Sequence, residues 1–117
     1  MNFVATSLAG AYVVDPEPQN DNRGFFARTW CEKEFAEHGL NPRLVQCNIS
    51  FNVRKGPWRG LHYQAPPHEE AKLVKCTAGA ICDVIVDLRP DSPTFKKHVT
   101  VTLSASNRKM LYIPEKF

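Results

Sequence analysis

The residues with chemical potential fall into an acid–base group, an anion-binding group and a set of neutral hydrogen-bonding side chains. His62 stands between Gly60 and Gln64. Its imidazole changes charge near neutral pH and can act as a general base; a surface or structural histidine is an equally open reading of the pattern alone. Lys72 is followed at alternate positions by Val74 and Cys76. In a strand its ammonium therefore turns toward less polar neighbours, where a charge needs a partner or a purpose. It can stabilise developing negative charge, or it can snorkel to the strand end. Arg23 and Arg59 can make bidentate hydrogen bonds to phosphate oxygens or lie in surface salt bridges. Gln46 and Asn48 each carry a donor and an acceptor, suited to sugar hydroxyls, a nucleobase edge or an amide ladder within a sheet. Asp83 and Asp87 share one face of a strand opposite Val84, Val86 and Leu88; they read as solvent-facing or paired to Arg89. A metal site built from His62, His68 and Glu69 is the rival chemistry. Gln64 stands where a second ligand of a His-x-His pair would be, and His68 follows Pro66-Pro67 in an apparent loop, so iron and zinc are not expected.

The elements that must hold these side chains read as short strands. Apolar residues recur at every second position between Gly, Pro and Asn breaks, which predicts strands over 11–15, 24–30, 44–52, 58–64, 71–77, 81–88, 98–103 and 109–113. Gln46, Asn48, Ser50 and Asn52 alternate with Val45, Cys47, Ile49 and Phe51, giving one wet and one dry face. Neutral amides and imidazole, rather than Lys and Glu, on two successive strands suit a ligand cavity better than a solvent face. One helix is expected over 31–38, with Thr29 and Glu32 as a capping box and Gly39 as its stop. Phe25, Phe26 and Trp30 read as core or dimer-contact aromatics, and Trp58 as a residue able to stack on a base.

Composition limits what such a scaffold can be. The 117 residues, 43% hydrophobic with a formal charge of +3, fit a single domain over 1–117. Basic residues cluster no further than the pairs Arg54-Lys55, Lys96-Lys97 and Arg108-Lys109, so neither nucleic acid nor a membrane surface is an expected partner. The N-terminal residues lack the basic lead and apolar core of a secretory signal, and the cytoplasm is the expected location. Cys31, Cys47, Cys76 and Cys82 show no C-x-x-C spacing and read as ordinary buried thiols rather than disulfides or zinc ligands.

Six stretches occur in order along almost the whole chain: Arg23-Gly24-Phe25-Phe26, Gln46-x-Asn48-x-Ser50, Arg59-Gly60-Leu61-His62-Tyr63-Gln64, Ala71-Lys72-Leu73-Val74, Asp83-Val84-Ile85-Val86-Asp87-Leu88-Arg89 and Ser92-Pro93-Thr94-Phe95. Together they resemble the dTDP-4-dehydrorhamnose 3,5-epimerases, cupin-type epimerases of sugar nucleotides. The resemblance implies an all-β jelly roll, or double-stranded β-helix, usually a homodimer. It implies action on a dTDP-4-keto-6-deoxyhexose in rhamnose biosynthesis without metal or organic cofactor. It also implies that His62 is the catalytic base, that Lys72 lies beside the sugar's carbonyl oxygen, and that Arg23, Gln46, Asn48 and Arg59 bind the nucleotide sugar, the arginines facing its pyrophosphate.

The chain departs from the family pattern at two positions. Arg28 stands where the family has Glu, and Lys116 stands in place of glycine in Ile113-Pro114-Glu115-Lys116-Phe117. The family continues after this point into an Ala-His-Gly-Phe segment, a catalytic tyrosine and an aspartate that orients the histidine. The resemblance thus makes the chain roughly the N-terminal two-thirds of the family domain, with a jelly roll incomplete at its C-terminal side. A related 3-epimerase or 3,4-ketoisomerase, or a remnant that binds nucleotide sugar or dimerises without turnover, are the alternatives.

Overall fold

A computed structural model describes residues Met1–Phe117. Its centre is a four-stranded antiparallel sheet formed by β1 (Asn2–Ala5), β2 (Tyr12–Asp15), β8 (Met110–Ile113) and β5 (Lys72–Lys75) in that spatial order. Two two-stranded ribbons complete the β structure: β3 (Gln19–Asp21) with β4 (Gly24–Phe26), and β6 (Ala80–Val86) with β7 (His98–Ser104). The only helix, α1, spans Glu32–Glu37.

Alternation along the central strands decides what each face covers. Val13 pairs with Leu111 and Val74 with Leu111 on its other side. These residues share one face with Ile113 and pack against Ile85, Val99, Val101 and Leu103 of the β6–β7 ribbon. The intervening residues, Val14, Met110, Tyr112 and Leu73, cover the opposite face and pack on Phe35 of α1 and on Leu40. The chain is thus three layers deep, and β8, buried along its whole length, belongs to both cores. Phe35 meets Phe3 at 5.3 Å and Tyr112 at 5.9 Å, both edge-on, the geometry favoured by the ring quadrupoles.

The helix is shorter than predicted and starts differently. Cys31, in extended conformation, is its N-cap, without a side-chain cap, so the Thr29–Glu32 capping box does not form. Gly39, at φ +68°, ends it as expected. Strands β2 and β5–β8 lie within a residue or two of their predicted positions. The predicted strand over 24–30 is reduced to Gly24–Phe26. The predicted strands over 44–52 and 58–64 are absent: residues 40–71 contain no regular element, and 44–68 are exposed throughout. The supposed dry face is the clearest case, with Ile49 88% and Phe51 79% exposed. The alternation is strand-like, but these residues pair with no other segment of the chain.

One further expectation, that of buried thiols, is corrected, and of the three aromatics read as core or dimer contacts only Trp30 packs on the core. None of the four cysteines is fully buried; Cys47 and Cys82 are exposed and all four are free thiols. Among the aromatics, Trp30 packs beside α1, whereas Phe25 and Phe26 are exposed, and Phe25 carries the Arg108 guanidinium 4.2 Å above its ring.

Candidate functional site

The six predicted site residues occupy three places. Arg23 is at the tip of the β3–β4 ribbon, where Asp21 engages it: the Arg23 backbone N–H donates to Oδ1 at 2.8 Å, and Nη2 lies 2.6 Å from Oδ2. This interaction holds the Asp21 carboxyl below its usual range. The shallow hollow along the ribbon is lined by Gln19, Asn20, Asp21, Arg23, Gly24, Phe25 and Phe26 and contains none of the other five residues.

Gln46, Asn48, Arg59 and His62 all lie on the irregular, exposed segment. Arg59 ties that segment to itself: Nε donates to Asn52 Oδ1 at 2.7 Å and Nη2 to the Phe51 carbonyl at 3.2 Å. Gly60 sits at φ +110°, and a Cβ there would lie 3.2 Å from the His62 backbone nitrogen and 3.6 Å from its Nδ1. Glycine at 60 therefore suits a backbone conformation that a side-chain-bearing residue rarely adopts and the close approach of the His62 backbone nitrogen. The segment is anchored at its start, where the Asn41 N–H donates to the buried Tyr112 hydroxyl at 2.9 Å and Asn41 Nδ2 to Glu115 Oε1 at 2.9 Å.

Lys72 begins β5, opposite Ile113, on the face that carries Val74. Its side chain is 28% exposed and its Nζ lies 3.5 Å from Glu70 Oε1. The residue stands on the strand face that carries Val74, as the alternation predicts, but its ammonium turns to the strand entrance and pairs there with Glu70, the snorkelling alternative.

Two carboxylates refine the reading of 83–87. Asp87 is paired with Arg89 as one of the two expectations had it, but it is completely buried rather than solvent-facing. Asp83 follows neither expectation. It points to the inner face with Ile85, is half-buried, and its Oδ2 has no hydrogen-bond partner; burial pushes its carboxyl upward. Ile85 could have revealed this direction, since residues two apart in a strand share a face. The groups His62, His68 and Glu69 form no three-ligand cluster.

Position 28 is occupied by a cation that is already engaged: Arg28 Nη1 lies 2.5 Å from Glu34 Oε1. The N-terminal ammonium lies 2.8 Å from the other oxygen of the same carboxylate and 2.6 Å from Glu17. Glu34 thus links the first residue, the segment before α1 and the helix itself.

The model of the family described as dTDP-4-dehydrorhamnose 3,5-epimerase matches residues 5–117. The chain belongs to this epimerase family. It is 44% identical to the dTDP-4-dehydrorhamnose 3,5-epimerase of Shigella flexneri over 100% of its length, covering 65% of that protein. The crystal structure of the Elizabethkingia anophelis dTDP-4-dehydrorhamnose 3,5-epimerase superposes with a TM-score of 0.91 at 43% identity, over 100% of this chain and 64% of that one. The Legionella pneumophila dTDP-6-deoxy-D-glucose-3,5-epimerase, solved in complex with dTDP-4-keto-L-rhamnose, superposes at 0.89 with 39% identity, over 99% of this chain and 61% of that one. The chain therefore spans a little under two thirds of the length of the relatives it matches. Its fold is the cupin-like jelly roll of the family, all-β apart from α1.

Proposed function

We propose that this chain supplies the substrate-binding and proton-transfer residues of a dTDP-4-dehydro-6-deoxy-D-glucose 3,5-epimerase acting in deoxysugar biosynthesis. The observation that carries this reading is the superposition over the whole chain on an epimerase of 43% identity, combined with a lysine placed on the inner face of the same sheet. Epimerisation beside a ketone removes a C–H proton and returns one to the opposite face. No net oxidation occurs, so the reaction needs no redox cofactor. His62 takes the proton through its imidazole nitrogen. Lys72 offsets the negative charge that develops on the carbonyl oxygen. Arg23 and Arg59 hold the pyrophosphate bidentately, and Gln46 and Asn48 bind the nucleotide sugar.

The protein acts as a homodimer in the cytoplasm on this reading. A second copy would cover part of the apolar surface left by Ile49, Phe51 and Leu61, each at least 75% exposed. No helix is long and apolar enough to cross a membrane.

The deciding experiment incubates the protein with dTDP-4-keto-6-deoxyglucose in heavy water and follows deuterium at C3 and C5 by NMR. Label at both carbons supports the 3,5-epimerase; label at C3 alone supports a 3-epimerase on the same scaffold. A second reading, nucleotide-sugar binding without turnover, is favoured by the exposure of His62, Arg59, Gln46 and Asn48. It predicts no label but a dTDP-dependent rise in the denaturation midpoint.

A further inference from the structure

The basic pair Arg108-Lys109 lies in the turn from β7 to β8, and both side chains reach toward the part of the chain that carries Arg23. Lys109 Nζ is 3.9 Å from Oδ1 of Asp15, the last residue of β2. The Arg108 guanidinium is 4.2 Å above the ring of Phe25 in β4. The turn is a stiff platform for this contact. Asn107 Oδ1 accepts the N–H of Ser104 and that of Lys109, each at 3.0 Å, and Asn107 Nδ2 donates to the Thr102 carbonyl at 2.9 Å. The Arg108 N–H donates to the Ser104 carbonyl at 2.9 Å. Arg108 itself is held at φ +57°, a conformation few non-glycine residues adopt.

The β3–β4 ribbon stands apart from the central sheet: its two strands pair with each other and with no third strand. Its feet are tied by ion pairs, Glu17 before β3 to the N-terminal ammonium and Arg28 after β4 to Glu34. Tied feet fix where a ribbon starts but leave it free to tilt. The contact between Arg108 and Phe25 is made on the ribbon itself, beyond the feet, and opposes that tilt. Arg23 moves with Phe25. Asn20 pairs with Phe25 and Asp21 with Gly24, and Arg23 is clamped to Asp21 through its backbone N–H and its guanidinium. At about 3.3 Å per residue the two positions are about 7 Å apart on one small rigid piece.

We propose that Arg108 is a positioning residue for Arg23: by lying on Phe25 it docks the β3–β4 ribbon on the β7–β8 turn and so fixes where the Arg23 guanidinium stands. The use of Arg23 on a pyrophosphate rests on the proposed function above; the docking does not. An exposed contact between a cation and an aromatic face shifts a population by about two- to fivefold, enough to bias a ribbon hinged at its feet.

Residual dipolar couplings test this in the protein without any ligand. In the parent, the amide couplings of Asn20, Asp21, Gly24, Phe25 and Phe26 should fit the alignment of the four-stranded sheet. In Arg108→Ser they should shrink while those of β2 and β8 stay as they are. Arg108→Lys, which keeps a cation over the ring, should hold the parent values. Phe25→Leu should reproduce the loss, with no further change when Arg108→Ser is added. Ribbon couplings unchanged in Arg108→Ser overturn the proposal.

Calorimetric titration with dTDP reads the consequence for Arg23. Arg108→Ser should bind about two- to fivefold more weakly than the parent, and the same substitution should change nothing further in an Arg23→Ala background. An equal loss in that background would mean that Arg108 meets the ligand itself, which overturns the positioning role. If Arg23→Ala binds dTDP as tightly as the parent, it is the phosphate role of Arg23 that fails, and the couplings alone decide the docking.

Discussion

Arg89 closes a fork on the buried carboxylate of Asp87, with Nε 2.9 Å from Oδ1 and Nη2 2.8 Å from Oδ2. Ser92 and Thr94 donate hydroxyls to the same Oδ2, at 2.5 and 2.6 Å. Arg89 also reaches the Ala9 carbonyl at 2.8 Å, and its guanidinium lies 4.6 Å above the Phe117 ring. A charge removed from water is tolerated when every lone pair has a donor. Here the arrangement ties the end of β6 to the loop leading to β7 and to both ends of the chain. The guanidinium is the largest influence keeping the Asp87 carboxyl far below the usual carboxylate range.

Removing one side of this fork should be costly. Arg89→Ala is expected to lose about 3–5 kcal/mol of stability, because it leaves the fully buried Asp87 without a counter-charge, and Asp87→Ala to lose less, because the Arg89 side chain remains 29% exposed to water. Urea denaturation followed by tryptophan fluorescence measures this. A loss below 1 kcal/mol in Arg89→Ala would show that water replaces the missing partner and that the fork is not a structural tie.

The sequence made this part of the fold legible for a definite reason. Strands β2 and β5–β8 alternate cleanly and find partners within the chain, so pattern and hydrogen bonding agree. Residues 44–52 and 58–64 alternate as well, but alternation specifies only which face is apolar, not whether an edge is available. β3 was invisible because Gln19-Asn20-Asp21 has low strand propensity and pairs only by the tight return to Gly24–Phe26. In the site, the strand face of Lys72 was readable from Val74, but its ion pair with Glu70 at the strand entrance was not. Asp83 was misread because Val84 and Val86 suggest an apolar face on the other side. Burial of Ile85 to 5% exposure, set by packing against Leu103 and Leu111, decided the matter.

Acid and alkali should weaken the fold through the same carboxylate. The N-terminal ammonium first, and Arg28 second, hold the Glu34 carboxyl down to about 2, below its unfolded value of 4.5. A lowered acid contributes stability that is present above its unfolded value and disappears as pH falls through the folded one. The ammonium is raised from 8.0, chiefly by Glu17 and then Glu34, so its contribution is present below that value and declines at higher pH. Asp83, raised by burial, acts against the acid limb. Thermal midpoints measured from pH 2 to 10 should fall at both ends, and Glu34→Gln should flatten both limbs. An unaltered profile in that variant would refute the assignment.

The hydroxyl of Tyr112 should matter for the segment that carries His62. Tyr112→Phe removes the acceptor of the Asn41 N–H while leaving the ring against Phe35. The expected cost is about 1 kcal/mol, the net value of one such hydrogen bond. The Asn41 amide should exchange faster with solvent while the amides of β8 keep their protection. Equal acceleration in β8 would mean that the hydroxyl supports the sheet and not the departure of the segment.

Exposed apolar side chains on the irregular segment should give the free chain a measurable affinity for hydrophobic probes. Ile49, Phe51, Val53 and Trp58 are 79–97% exposed, an apolar series beyond what isolated surface residues provide. None of them belongs to either core, so Ile49→Ser and Phe51→Ser should change stability by less than about 0.5 kcal/mol. The same pair of substitutions should reduce anilinonaphthalene sulfonate fluorescence and, if copies of the chain associate through this surface, shift sedimentation toward the monomer. Unchanged dye binding accompanied by a large stability loss would place these residues in a packed strand. The wet face of Gln46 and Asn48 would then line a formed cavity in the free chain.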